Sequence, residues 1–168
     1  MTDSSCILLA EDDENDVYFL KRAFCDAEIG NPLQVVHDGQ EAIDYLAGAN
    51  HFADRDRYPI PCLLILDLKM PRRTGMDVLR WLRSQPVLTC LPVIVLSSSA
   101  QRYDIERAYR IGANAFVVKP SGIEKRADLA RYIKGFWLQY NHPPMLCSDG
   151  IEAAREFHLG ILEPPGLL

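Results

Sequence analysis

The chain has no apolar run long enough to cross a membrane. Its runs are about five residues long, against the ~18 that a span requires. The acidic, polar N-terminus lacks the basic start and long apolar stretch of a signal peptide. There is no C-x-x-C pair, and the five cysteines (Cys6, Cys25, Cys62, Cys90 and Cys147) form an odd, scattered set. That excludes a disulfide framework and a zinc site, so the expectation is reduced packing thiols in a cytoplasmic protein. Positive charge is scarce: 18 Lys and Arg face 23 Asp and Glu, a net charge of −5. That mildly acidic balance argues against non-specific binding to nucleic acid or an anionic membrane surface, which would need a basic patch. No internal repeat or low-complexity tract occurs. What remains is ordinary globular composition, 48% apolar and 24% charged, enough for one domain with a real core.

Five short apolar runs punctuate that composition: Cys6–Ala10, Leu33–Val36, Cys62–Leu66, Pro92–Leu96 and Ala115–Val118. Three are apolar on both parities, which marks strands covered on both faces and therefore central in a parallel sheet. Helical spacing fills the gaps: Val17, Leu20, Phe24 and Ala27; Ala42, Ile43 and Leu46; Met76, Leu79, Trp81 and Leu82; Ile105, Ala108 and Tyr109; and a last set from Leu129 to Tyr140. Gly30, Gly48, Pro86 and Gly112 stand where helices should stop. Five strands alternating with five helices predict an α/β, doubly wound parallel sheet. Residues 49–61, with Asp54-Arg55-Asp56-Arg57 and prolines at 59 and 61, read as an extended loop. Residues 141–168 read as a C-terminal tail with one short helix at 151–158, leaving 5–140 as the folded domain.

In such a sheet, ligands bind beyond the carboxyl ends of the strands. The first strand is followed by Glu11-Asp12-Asp13, the third by Asp67, the fourth by Ser97-Ser98-Ser99 and the fifth by Lys119-Pro120. Converging carboxylates resist ionising together unless a cation is present, and a few hard oxygen ligands suit Mg²⁺. An aspartate can act as nucleophile to form an aspartyl-phosphate. A metal and a lysine would stabilise the phosphoryl group in transfer, and a hydroxyl at Ser97 would bond it afterwards. Singly, these residues have blander readings: Asp12 or Asp13 as helix cap, Lys119 as surface charge, Ser97 as loop hydroxyl. Asp67 is harder to dismiss, because an acid directly after five apolar residues is costly to bury without a partner.

In combination, Leu9-Ala10-Glu11-Asp12-Asp13, Leu66-Asp67-Leu68-Lys69-Met70-Pro71 with Gly75, Leu96-Ser97-Ser98 and Phe116-Val117-Val118-Lys119-Pro120 resemble the bacterial response-regulator receivers over about residues 5–140. The resemblance implies a flavodoxin-like receiver fold with strand order 2-1-3-4-5. It makes Asp67 the phosphoacceptor, Asp12 a direct Mg²⁺ ligand, Glu11 a ligand largely through water, and the Lys69 carbonyl the remaining protein ligand. It makes Ser97 the switch hydroxyl, Lys119 the phosphate-pairing lysine, Phe116 the rotating aromatic, and Asp13 a cap rather than a ligand. Phe116 stands where tyrosine is common, so a signal needing that hydroxyl is not available here. The long 49–61 loop and Phe136-Trp137-Leu138 resemble single-domain regulators paired with bacterial phytochromes and related sensor histidine kinases. Residues 121–128 and the long tail depart from that subfamily.

Other readings are weaker. An aspartate-nucleophile phosphatase needs an acid two residues after the nucleophile, where Lys69 stands. A transcription factor would need a basic recognition element, which residues 141–168 lack. A degenerate receiver serving only as a binding module would not need the intact acids, Ser97 and Lys119. The expectation is therefore a cytoplasmic two-component phosphoacceptor that is not an enzyme. It takes a phosphoryl group from a histidine kinase and signals by docking to a downstream protein. It is expected to pair as a homodimer through the last helix, around Phe136 and Trp137.

Overall fold

The computed structural model describes residues 5–142; the 151–158 helix expected in the tail lies outside them. The elements are β1 (Ile7–Ala10), α1 (Glu14–Asp26), β2 (Leu33–Val36), α2 (Gly39–Ala47), β3 (Leu63–Leu66), α3 (Gly75–Ser84), β4 (Val93–Ser97), α4 (Arg102–Ile111), β5 (Ala115–Val118) and α5 (Ile123–Tyr132). All five strands run parallel in the order β2-β1-β3-β4-β5. The three runs that are apolar on both parities are β1, β3 and β4, fully buried in the middle of the sheet.

Alternate side chains divide the core into two layers, as the pleat of a strand requires. Leu8, Ala10, Leu64, Leu66, Val93 and Val95 face α2, α3 and α4. Ile7, Leu9, Leu63, Ile65, Ile94 and Leu96 face α1 and α5. Residues capable of bonding free backbone N–H groups open three helices. Asp13 accepts from Asn15 and Asp16 at the start of α1, Asp38 caps α2, and Thr74 with Asp77 forms a capping box on α3. Gly48 (φ 65°) ends α2 in the left-handed conformation that spares it a Cβ clash.

Two segments differ from their expected form. Residues 49–61 are not simply extended: Asn50–Phe52 form a 3₁₀ turn, and Phe52 is buried against Tyr45 and Tyr58. One charge of Asp54-Arg55-Asp56-Arg57 turns inward. The Arg55 guanidinium donates to the carbonyls of Tyr45 (2.8 Å) and Leu46 (2.9 Å) in the last turn of α2 and to that of Tyr58 (3.1 Å), tying the loop to the helix end. Beyond α5 the chain continues as a π-helix, Ile133–Tyr140. This sends Ile133 and Trp137 toward the sheet and leaves Tyr132, Phe136 and Tyr140 exposed.

Candidate functional site

The carboxyl edges of β1, β3, β4 and β5 bring the expected residues together. Glu11 and Asp67 are buried and Asp12 is exposed, and a carboxylate oxygen from each lies within 4.8 Å of the others. Asp67 accepts from the backbone N–H of Leu68 at 2.8 Å. Lys119 Nζ sits 3.5 Å from Asp67 and 2.7 Å from Glu11. Ser97 is fully buried at the end of β4, and its Oγ accepts from the Ser99 N–H at 3.2 Å. The Asp13 carboxylate is engaged as the α1 cap, while its N–H donates to Glu11 at 3.2 Å. The Lys69 side chain is exposed.

The electrostatics follow from four acids crowded near one ammonium. Burial raises the carboxyl of Glu11 to about 7, against the pull of Lys119. Burial also raises Asp67, again opposed by Lys119. Burial acts to lower Lys119, but its bonds to Asp16 and Glu11 outweigh that and hold it above the ordinary lysine value. Carboxylates that resist ionising side by side are what a divalent cation would relieve. The donor set is all oxygen and small, which fits Mg²⁺ with several retained waters.

Three contacts are not legible in the sequence. Asp16, on the first turn of α1, bonds Lys119 at 2.9 Å. Arg126 on α5 lies 3.8 Å from Asp16. Ser99 is buried and donates to Asp104 at 2.6 Å, tying the β4–α4 loop to α4. Asp16 has the pattern of an ordinary first-turn acid; its place on the first turn of α1, just beyond the carboxyl end of β1, is the one signal that it could reach the site. Phe116 is half-buried against the α2–α4 layer, and its N–H bonds the hydroxyl of Tyr109 at 3.1 Å. A tyrosine hydroxyl therefore does meet the β5 edge, supplied by α4 rather than by residue 116. Beyond Asp67, the β3–α3 loop is anchored by Arg72 (φ 62°), which pairs with the Asp38 cap of α2.

The response regulator receiver domain family matches residues 7–131. The chain belongs to the response-regulator receivers. This receiver is 39% identical to the response regulator RPA3017 in red light signalling of R. palustris, with a TM-score of 0.80 over 84% of this chain and 99% of that one. It is 35% identical to the bacteriophytochrome response regulator RtBRR, over 92% of this chain and 91% of that one, with a TM-score of 0.68. The response regulator Rcp1 of Synechocystis sp. is 28% identical over 133 residues, 79% of this receiver and 88% of Rcp1. Both the flavodoxin-like fold and the likeness to single-domain phytochrome regulators agree with the sequence reading. Among the described residues no helix of this receiver is long and apolar enough to cross a membrane.

Proposed function

We propose that the receiver accepts a phosphoryl group from the phosphohistidine of a sensor histidine kinase, of the kind that serves bacterial phytochromes, onto Asp67. The supporting observation is Asp67 itself, a buried acid with Glu11 and Asp12 on one side and the Lys119 ammonium 3.5 Å away. A carboxylate oxygen of Asp67 attacks phosphorus; the O–P bond forms as the bond to the imidazole nitrogen breaks, and that electron pair stays with the ring. Mg²⁺, when bound by Asp12 and Asp67, by Glu11 through water and by the Lys69 carbonyl, supplies charge neutralisation to the phosphoryl oxygens. A manganese-bound form of Rcp1 is known, which supports a divalent-ion site in this family. Lys119 pairs a phosphoryl oxygen, Ser97 donates its hydroxyl to another, and Phe116 turns inward behind it. The reading is of an acceptor rather than an enzyme with turnover, since Lys69 cannot protonate a leaving group. Signalling then rests on a changed docking surface for a downstream protein in the cytoplasm. Moving such a surface from mostly off to mostly on requires about 5.5 kcal/mol of differential stabilisation.

Metal dependence gives one test. Asp12→Ala should abolish saturable Mg²⁺ binding and phosphoryl uptake from acetyl phosphate together, followed by calorimetry and intact mass. Uptake that survives chelation would remove the metal from the account. The pH dependence has a definite sign. The Glu11 carboxyl is raised from its ordinary 4.5 to about 7, so its favourable contribution to folding is complete below 4.5 and lost as pH rises through 7. A proton therefore competes with the cation at Glu11, and the apparent Mg²⁺ affinity should fall as pH drops below about 7. A flat affinity between pH 8 and pH 5 would contradict this.

We infer further that the receiver self-associates through the π-helical extension. Tyr132, Phe136 and Tyr140 recur every fourth residue and are 73%, 56% and 78% exposed. Exposed aromatic stripes serve as interface anchors, and a twofold dimer is the commonest closed arrangement. Trp137 packs inward on the α1–α5 layer, so its contribution would be to support the helix. Phe136→Ala should weaken the dimer about tenfold in sedimentation at micromolar concentration, the effect of losing one anchor. A monomer under all conditions, or a dimer indifferent to the substitution, would place the contact elsewhere.

A further inference from the structure

Lys119 has two claimants besides Asp67: Glu11 of the acidic cluster, at 2.7 Å, and Asp16 on α1. Its Nζ lies closer to Asp16 Oδ2 (2.9 Å) than to Asp67 (3.5 Å). The other oxygen of Asp16 faces Arg126, whose Nη2 is 3.8 Å away. Arg126 is itself held from two other sides. Its Nε donates to the carbonyl of Pro120, the residue after Lys119, at 3.2 Å, and its guanidinium lies 4.2 Å over the ring of Phe19 on α1. A cavity of about 30 Å³, lined by Glu11, Asp16, Lys119 and Arg126 among others, adjoins the three charges. The volume is enough for about one water and for small shifts of these side chains without repacking a helix. One carboxylate thus bridges two cations: tightly to the lysine of the site, loosely to an arginine of α5.

We propose that Asp16 is a positioning residue that, from the α1 side and beside Glu11, holds Lys119 back from Asp67 in the unphosphorylated receiver, and that Arg126 takes Asp16 over when Lys119 moves to the phosphoryl group. The inference rests on the phosphoacceptor reading of Asp67. A phosphoryl group adds nearly two negative charges beside Lys119, which outcompetes a single carboxylate for it. Asp16 is left partly buried with an oxygen unpaired, and Arg126 is the nearest cation able to close on it. Since Arg126 is bonded to Pro120 and stacked on Phe19, its shift moves the junction of β5 with α5 against α1. The occupancy of the site is thereby read out at the helix that carries the exposed aromatic stripe. Asp16 and Arg126 act with opposite signs: the first restrains the switch and the second releases it.

The test is titration of the full chain with beryllofluoride, a phosphoryl analogue, in the presence of Mg²⁺, followed by calorimetry. Asp16→Asn should tighten binding by about fivefold and Arg126→Gln should weaken it by about fivefold, the low end of coupling between sites. In the Asp16→Asn background, Arg126→Gln should have little further effect, because the two act through one carboxylate. Asp16→Glu should restore affinity toward that of the unaltered chain. Weakening by both single substitutions, which general damage to the fold would cause, overturns the proposal; so does no change in either. Arg126→Met removes the charge but keeps an apolar stem over Phe19, and repeats the comparison if Arg126→Gln melts early. Asp67→Asn serves as the separate control: if the unaltered chain binds no beryllofluoride, or Asp67→Asn binds it equally well, the acceptor reading itself fails and the relay with it.

Discussion

Asp67→Asn should take up no phosphoryl group from acetyl phosphate or from a kinase, a loss of roughly a thousandfold or more, as deleting a covalent nucleophile causes elsewhere. The amide is close in shape to the carboxyl, keeps an oxygen for the Leu68 N–H, and cannot attack phosphorus. The same substitution should not cost stability. Burial holds the Asp67 carboxyl above its ordinary value. By linkage, its favourable contribution to folding is complete only at low pH and is lost as pH rises through the raised value. At neutral pH the buried carboxylate is therefore a burden that Lys119 offsets only in part, and the neutral amide relieves it. The expected pair of results is an inert protein that melts at or above the temperature of the unaltered chain. Inertness with a much lower Tm would mean that the fold, not the chemistry, had been lost.

Gly75→Ala should show the converse, a large loss of stability at a residue that carries no chemistry. Gly75 opens α3 directly beneath the acceptor strand, and its N–H donates to the Leu68 carbonyl at 3.0 Å. A Cβ there would overlap the backbone carbonyl oxygen of Asp67 and lie 2.9 Å from the Cα of Leu68. Two effects oppose each other. Alanine is a better helix former than glycine by about 1 kcal/mol. Against that, backbone atoms cannot rotate away as a flexible side chain would, so the clash must be relieved by moving α3 or the Asp67 peptide. Overpacking of this kind costs about 3 kcal/mol, and the clash wins. A Tm about 5–10 °C lower should follow, with slower phosphoryl uptake because the Asp67 main chain is displaced. An unchanged or raised Tm would show that the close approach of α3 to the acceptor strand is not as tight as described.

Much of the fold and of the site is legible in the sequence. β1, β3 and β4 are apolar on both parities because both faces are covered, and that pattern alone placed them centrally. The residues following each strand then enumerated the site, since parallel strands deliver their carboxyl ends to one edge. What was not legible depends on side chains reaching across elements. Asp16 and Arg126 sit on α1 and α5, far apart in sequence, and each resembles a solvated helix charge. Their meeting on Lys119 follows from the packing of those two helices. Arg55 was hidden among alternating charges, because nothing in the sequence tells which of four turns inward to bond the end of α2. In the sequence, α-helical spacing runs through the whole of the last helix, whereas its end from Ile133 to Tyr140 is a π-helix. Phe136 and Trp137 are neighbours in a wide apolar band, and only the packing against α1 and the sheet shows that Trp137 turns inward and Phe136 does not.

The central claim is that one carboxylate, Asp67, becomes the acyl phosphate. Borohydride reduces an acyl phosphate to an alcohol, so reduction of the protein after phosphoryl transfer from a sensor histidine kinase, followed by peptide mass spectrometry, reads the acceptor directly. Homoserine at position 67 and at no other aspartate is the predicted result. Homoserine at Asp12 or Asp13, or a labelled protein with no reduced aspartate at all, would contradict the account.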